Sequence, residues 1–588
     1  MTLARFDDLT PGAERSFRFE EPVAVLEARR PEEVPGVLDA AEAAARRGLW
    51  AAGFVAYEAA PGVNPDLEVR SRSGGEPFGE LPLAWFGLFD RREDARALEP
   101  PAEAPAAGGA WQPSVSREAY DEAIGQIRER IAAGDTYQVN HTIRLRATVS
   151  GDECDLYRDL ALAQRGGYAA YLDTGRYRVL SASPELFFRL DGDRATTRPM
   201  KGTAPRGRWL EEDDAIVERL LASAKDRAEN AMIVDLLRND LGRISEVGSV
   251  TWEDLFHAER YETVWQLTST ISSHLRKGVG LAEVFRALFP SGSVTGAPKV
   301  ATMRIIAELE TFPRGVYCGA IGYLAPDGWG EPRANFNVAI RTVVVDSETR
   351  LAEYGVGGGV THGSSAAGEY EEILAKARVL TTSRPAFELF ETLRYGPDTG
   401  FAHLPEHLAR LSSSARYFGF RVDEAAAVAA LGAAIEGRGA VRVRLTLRRD
   451  GTLTTEARDL PPPSERPLRL ALDEEPVDPS DVFLFHKTTH RATYEQRRSR
   501  HPDTDDVLLV NTRGEVTEST IANLAVLLDG EWVTPPRDAG LLAGTYREIL
   551  LREGRLSECT VTVEDLRRAE AVALVSSVRG WRDVEAIA

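Results

Sequence analysis

The sequence predicts a chain of mixed helix and strand, an α+β architecture in two successive units. Three observations carry this. Stretches that alternate residue by residue are interleaved with stretches of helical period. Turn-rich breaks interrupt the pattern, "TTSRP" at 381–385 and "DLPPPSERP" at 459–467. Finally, 588 residues suffice for several folded units, since a domain usually takes roughly 100–200. One unit is expected over about 1–382, and a second, two-lobed unit over about 386–588 with its break near 459–467.

Taken in order, residues 91–113 are rich in Ala, Pro and Glu and read as a surface loop. Residues 117–133 place Tyr120, Ile124, Ile127 and Ile131 on one helical stripe, which Gly134 ends. A half-polar strand follows, with Tyr137, Val139, Ile143, Leu145, Ala147 and Val149 on one face. Gln138, Asn140, Thr142 and Arg144 take the other face. "SASPELFFRLDGDRATTRPMKGT" (181–203) reads as a hairpin turning at Asp191-Gly192, which would pair Leu190 with Asp193 and Glu185 with Arg198. In the helix "AKDRAENAMIVDLLRNDLGRI", the stripe Met232, Ile233, Leu236 and Leu237 runs back to Glu229. "NFNVAIRTVVV" alternates so that Asn337 and Arg341 share a strand face, and "GVGGGVTHGSS" (355–365) offers backbone amides to an anion.

The net charge of −20 excludes the basic footprint of a nucleic-acid binder. Cys154, Cys318 and Cys559 lie far apart with no metal spacing, which fits a reducing compartment. The amino terminus has no apolar signal core, and no run approaches the ~20 apolar residues of a membrane span. A soluble cytoplasmic protein, with no nucleic-acid or membrane partner, is the expectation.

Lysine usage is selective. Of 71 basic residues only six are lysine: Lys201, Lys225, Lys277, Lys299, Lys376 and Lys487. Lys201 lies three residues past the hairpin, at the same end as Glu185, roughly 10 Å of extended chain from Arg198. A surface ion pair explains this, but would accept Arg; an amine also loses its proton when desolvated and then acts as a nucleophile. Glu229, on an inward helix face, needs a partner, either Lys225 at i−4 or a cation such as Mg²⁺. Glu372 and Lys376 stand at i and i+4, the spacing of an ordinary helix pair. Lys487, in "FLFHKTTHRATYEQ", follows an apolar stretch that reads as a strand and opens a helix. Cys318, in "VYCGAIGY", reads as a core residue of an apolar strand.

In combination these blocks resemble a family. "AAGDTYQVN", "SASPELFF", "RPMKGTAPRG", "AENAMIVDLLRNDLGR", "FPSGSVTGAPK", "NFNVAIRT" and "GEYEEILAKA" occur in the order found in chorismate-utilising enzymes. The resemblance spans 115–380, with 1–110 a more variable part, and implies the two-sheet α/β fold of anthranilate synthase component I. Within that family the residue before Gly-Thr is Ala in anthranilate synthases and Lys in aminodeoxychorismate synthases; here it is Lys201. The water-using members carry Lys where this chain has Gln138. The resemblance implies that Lys201 adds to C2 of chorismate as the C4 hydroxyl leaves with Glu185 as acid, and that ammonia then enters C4 and expels the lysine. It implies Mg²⁺ on Glu229 and Glu372, and substrate carboxylates on Tyr317, Arg341, Lys376 and the amides of Gly357, Gly358 and Gly359. Many members have His where this chain has Gln266. None of the three cysteines sits in a Gly-rich elbow, so ammonia is expected from a separate glutamine amidotransferase subunit or from solution.

In the second unit, "FETLRY", "HLARL", "GEVTESTIANL", "LLAGTYRE" and "VSSVRGW" resemble the fold-type IV pyridoxal-phosphate enzymes, aminodeoxychorismate lyase among them. By that resemblance Lys487 binds the cofactor covalently and shuttles a proton, and Glu518 pairs with the pyridine nitrogen. Arg410, Gly544, Thr545, Ser577 and the amide of Val578 hold the phosphate. The opening strand is shortened to "RPAFELFETLRY", and a homodimer through this unit is left open. The two units would together convert chorismate to 4-aminobenzoate and pyruvate for folate synthesis. The alternative is an anthranilate synthase component fused to an aminotransferase.

Overall fold

A computed structural model of the chain describes residues 3–72, 75–100, 110–381, 385–460 and 466–587. Parts of the expected loop at 91–113 and of both breaks therefore lie outside the described residues. The chain divides into two compact units. One comprises Met1–Arg206 and Val217–Pro385; the other comprises Gly207–Ile216 and Ala386–Ala588. Both mix helix and strand, as the sequence predicts.

Among the described residues, the first unit is built on a ten-stranded and a nine-stranded sheet, plus a three-stranded one. Its ladders are antiparallel. The two large sheets meet over an aromatic core: Phe6, Phe17, Phe19, Trp50, Phe54 and Tyr323 are all buried there. Rings pack edge-on at 5.2–5.7 Å, as for Phe6 with Tyr323 and Phe17 with Phe19. Each such ring contributes about 1.5–3 kcal/mol by leaving water. The helix Arg117–Ala132 covers one sheet with Tyr120, Ile124 and Ile127, while Ile131 is only partly buried.

Five local expectations are corrected. The strand Gln138–Thr148 is buried on both faces, because Glu310 and Arg314 neutralise its polar side: Thr142 donates to Glu310 at 2.8 Å and Arg314 donates to the Asn140 carbonyl at 2.7 Å. Tyr137, expected on the apolar face, precedes the strand and is 73% exposed. The hairpin pairs Asp191 with Arg194 and Leu186 with Arg198, because Gly192 takes a left-handed φ of +59° and a register shift falls between Leu186 and Arg189. Asn337 and Arg341 do not share a strand: Asn337 lies in the strand Ala334–Val338, and Arg341, at φ +52°, precedes the strand Thr342–Asp346 in the other large sheet. Cys318 likewise lies just before its strand, Ala320–Leu324, buried at φ +63°.

The first part of the Gly-rich stretch lies in a strand. Leu351–Val360 runs beside Gln138–Thr148, with Gly357 opposite Thr142 and Gly359 opposite Asn140. The glycines are there for clearance: a Cβ at Gly355 would overlap the Tyr317 ring, and one at Gly357 the backbone of His141.

In the second unit, a four-stranded sheet is covered by helices Leu404–Phe418 and Glu424–Ala434 over a core of Leu389, Leu393, Leu411, Val443 and Leu445. An eight-stranded sheet holds Val516–Ser519 and Asn523–Leu528. Lys487 is in neither a strand nor a helix. It lies between the 3-10 turn Val482–Leu484 and the helix Ala492–Arg500, since a short apolar run does not by itself specify a strand.

Candidate active sites

In the first unit, Lys201 stands on the strand Met200–Pro205, whose ladder with Val264–Thr268 shifts register between Met200 and Thr203. Gly202 follows at φ +95°, where a side chain would be strained. The lysine enters a cavity of about 260 Å³ that Glu185, Glu229, Tyr317, Arg341, Glu372 and Lys376 also line. Gly357 and Gly359 contribute to its wall. Gly358 is set apart from these: a Cβ there would meet Glu369 at 2.9 Å and Glu372 at 3.4 Å.

Burial lowers the Lys201 pKa, the Lys376 cation lowers it further, and Glu229, Glu372 and Glu369 oppose the change. Burial raises Glu185 to about 7, against a hydrogen bond donated by Ser293 Oγ at 2.6 Å and the nearby Lys201 cation. The site thus pairs an amine biased toward neutrality with a carboxyl group that holds its proton near neutral pH. Burial would raise Glu372, but Lys376, 2.5 Å away, outweighs it and leaves Glu372 below its usual value. Lys376 also donates to the Gly357 carbonyl at 2.8 Å. Lys225, 80% exposed and 4.0 Å from Glu229, holds that carboxylate only loosely. Arg341 donates to Gln164 at 3.2 Å.

Three lining residues, Ser293, Glu369 and Asp226, carry no expectation from the sequence. Ser293 reaches Glu185 from 108 residues away, inside the quoted block "FPSGSVTGAPK". Glu369 and Asp226 each precede a predicted metal carboxylate by three positions, so a scan of the same helix face finds them. Burial raises Glu369, and its Oε2 is buried with no hydrogen-bond partner. Gln138 is fully buried with both amide atoms unpaired. Gln266 donates to Thr203 Oγ1 at 2.7 Å beside the Lys201 strand. Among the described residues, no three His, Cys, Asp or Glu side chains gather into a metal cage. A larger cleft of about 920 Å³ in the same unit is lined by none of the predicted site residues.

In the second unit, the Lys487 carbonyl accepts from Phe390 N at 3.0 Å, and Leu389 bridges Thr488. The Lys487 amine lies 4.9 Å over the Phe390 ring. Burial, then Arg410, lowers it to about 8. Burial raises Glu518 to about 7, although it accepts from Tyr494 Oη at 2.8 Å and from Leu542 N and Asn523 Nδ2 at 3.2 Å. Both Glu518 and Arg410 act on the Lys487 charge, so the three share one neighbourhood. Arg410 grips Glu391 through Nε and Nη2 at 2.8 and 2.7 Å and donates to the Ala543 carbonyl at 3.1 Å. Gly544 caps and Thr545 opens the helix Thr545–Arg552, and a Cβ at Gly544 would overlap Asn523. Ser577 and Val578 form the partly exposed turn between strands Ala571–Ser576 and Gly580–Ile587. Glu391 and His407 are unpredicted members: His407 Nδ1 meets Glu391 at 2.7 Å and its Nε2 meets Thr545 Oγ1 at 3.4 Å.

Residues 10–382 match the chorismate binding enzyme family. The chain belongs to it. Residues 388–587 match amino-transferase class IV. An aminodeoxychorismate synthase from Streptomyces griseus is 44% identical over 314 residues, which is 52% of this chain and 43% of that protein. An anthranilate synthase component 1 from Haloarcula marismortui is 38% identical over 339 residues, covering 56% of this chain and 68% of the relative. The chain therefore spans less than half of the first of these relatives. The crystal structure of anthranilate synthase component I from Streptococcus pneumoniae superposes with a TM-score of 0.54 at 25% identity, covering 65% of this chain and 92% of that one. The two-sheet fold expected of the first unit and the class IV aminotransferase fold expected of the second are thus both present.

Proposed function

We propose that the first unit aminates chorismate at C4 and the second eliminates pyruvate from the product, giving 4-aminobenzoate. The observation that carries this is Lys201: a partly buried primary amine on one small cavity with Glu185, Glu229 and Glu372, where a guanidinium would be unreactive. Lys201 Nζ bonds to C2 of chorismate as the C4–O bond breaks, and Glu185 gives its proton to the departing hydroxyl. Ammonia then bonds to C4, the C2–Nζ bond breaks, and the ionised Glu185 takes back the surplus ammonium proton. Tyr317, Arg341 and Lys376 hold the substrate carboxylates, with the amides of Gly357, Gly358 and Gly359 assisting.

The unpartnered Glu369 oxygen beside Glu372, and the loosely held Glu229, fit a divalent cation completed by water and substrate oxygens. Glu229 and Glu372 would hold Mg²⁺, which supplies charge neutralisation for a ring carboxylate.

In the second unit, an amine lowered to about 8, a carboxyl group facing its neighbourhood and a helix start cleared of side chain at Gly544 fit pyridoxal phosphate. Pyridoxal phosphate supplies the electron sink for charge at the amino-bearing carbon. Lys487 would bind it and carry the proton from that carbon to the methylene of the departing enolpyruvate, so that the C–O bond breaks, pyruvate leaves and the ring becomes aromatic. Glu518 would hold the pyridine nitrogen, and Arg410, Gly544, Thr545, Ser577 and Val578 would hold the phosphate.

Nitrogen comes from a glutamine amidotransferase subunit or free ammonia. A cytoplasmic setting fits a chain whose described helices include none long and apolar enough to cross a membrane. The Haloarcula relative favours a second reading, anthranilate synthesis with a transaminating second unit. Purified chain given chorismate, Mg²⁺ and ammonium decides: 4-aminobenzoate with pyruvate supports the proposal, and 2-aminobenzoate overturns it.

A further inference from the structure

Residues Gly207–Ile216 fall inside the stretch that matches the chorismate binding enzymes, yet they are part of the second unit. Their attachment is specific. Gly207 has no room for a side chain, since a Cβ there would overlap the backbone of Asp213. Its N–H donates to the buried Asp213 carboxylate at 2.8 Å, and its carbonyl accepts from Tyr417 Oη at 2.6 Å. The Arg208 carbonyl accepts from His486 Nε2 at 3.1 Å. The other ring nitrogen, Nδ1, lies 2.9 Å from Ser414 Oγ. The Tyr417 ring stacks on His486 at 4.5 Å. The residue immediately before Lys487 is thereby held through its Nδ1, its Nε2 and its ring face.

Trp209 supports the same place from behind. Its ring lies 5.1 Å from Phe485 and packs on the cluster that includes Tyr494, the hydroxyl that donates to Glu518. Two guanidinium groups, Arg208 and Arg537, lie 4.6 and 4.8 Å from the Trp209 ring. Each is tied back into the segment, Arg208 by Glu212 at 2.8 Å and Arg537 by Glu211 at 3.1 Å.

We propose that Gly207–Ile216 is a positioning segment of the second unit: its backbone seats His486, its tryptophan backs Phe485 and Tyr494, and together they direct Lys487 and Glu518. The proposal rests on the reading of Lys487 and Glu518 as the cofactor-facing pair. Simple coverage of an apolar surface is the competing explanation, and it predicts no effect on the geometry of the lysine.

The test uses the full chain and its Trp209→Ala and Trp209→Phe variants, with hydrogen exchange of the 482–490 peptide measured without added cofactor. Trp209→Ala is expected to speed that exchange about tenfold, with Trp209→Phe largely restoring it. Titrated with pyridoxal phosphate, Trp209→Ala is expected to bind about tenfold more weakly with a displaced absorbance maximum, again restored by Phe. Exchange at 482–490 unchanged in Trp209→Ala overturns the proposal; so does faster exchange with unchanged affinity and spectrum. Should the wild-type chain take up no pyridoxal phosphate, the cofactor reading fails and the exchange result alone decides the positioning. Should Trp209→Ala not fold, His486→Ala gives the reciprocal measurement: unchanged exchange across 207–216 overturns the proposal, and faster exchange supports it.

Discussion

Gln138 and Lys201 meet in the space left by the missing side chain of Gly359. A Cβ at 359 would overlap both Gln138 Nε2 and Lys201 Nζ. Gln138 is fully buried and neither amide atom has a partner, so an unsatisfied polar group faces the amine. Leaving such a group unpaired costs about 1–3 kcal/mol.

Gly359→Ala is expected to displace the amine or the amide and cut chorismate turnover by about 100-fold, the usual effect of ångström-scale misplacement. The glycine has no left-handed φ, so the thermal midpoint should move little. Steady-state kinetics beside a thermal melt checks this, and unchanged kcat/KM contradicts it.

The pH profile of the first reaction should contain one limb from Glu185 at about 7. Ser293 donates to that carboxyl group and favours its ionised form. Ser293→Ala therefore raises the Glu185 pKa and moves the limb to higher pH. A limb that stays in place, or moves to lower pH, counts against Glu185 as the acid.

Glu391, nearly fully buried, is held down to about 2: burial would raise it, but Arg410 and His407 outweigh burial. Its folded pKa is depressed, so its contribution is present above the unfolded value of ~4.3 and is lost as pH falls towards 2. Glu391→Gln removes one partner of a buried pair and is expected to cost the second unit about 3–5 kcal/mol near neutral pH. Denaturant unfolding should show that gap narrowing below pH 4, and a pH-independent gap would contradict the assignment.

Lys487→Ala should abolish the absorbance of bound pyridoxal phosphate and pyruvate release, while chorismate is still consumed and the aminated intermediate accumulates. Pyruvate release at the wild-type rate would remove Lys487 from the mechanism.

What the sequence made legible was chemistry carried by short blocks. The placement of Lys201 just past a hairpin and of Glu229 on a helix could be read from spacing, and Glu518 lies in the strand Val516–Ser519. What it hid was set at long range. The polar face of Gln138–Thr148 is buried because Glu310 comes to meet it from 168 residues away, and Ser293 finds Glu185 in the same manner. The hairpin register moved because the two-residue turn is Gly192-Asp193 rather than Asp191-Gly192, and it shifts again between Leu186 and Arg189. The apolar "FLF" before Lys487 was too short for periodicity to decide. No local signal separates Gly207–Ile216 from the sequence around it, and only packing assigns the segment to the second unit.

The central claim is a covalent bond between Lys201 and chorismate. Full-length enzyme incubated with chorismate and Mg²⁺ without ammonia, quenched and digested, should carry chorismate less one water on the peptide containing Lys201, and ammonium should discharge it to product. A peptide that stays unmodified while the same preparation aminates chorismate at full rate would contradict the account.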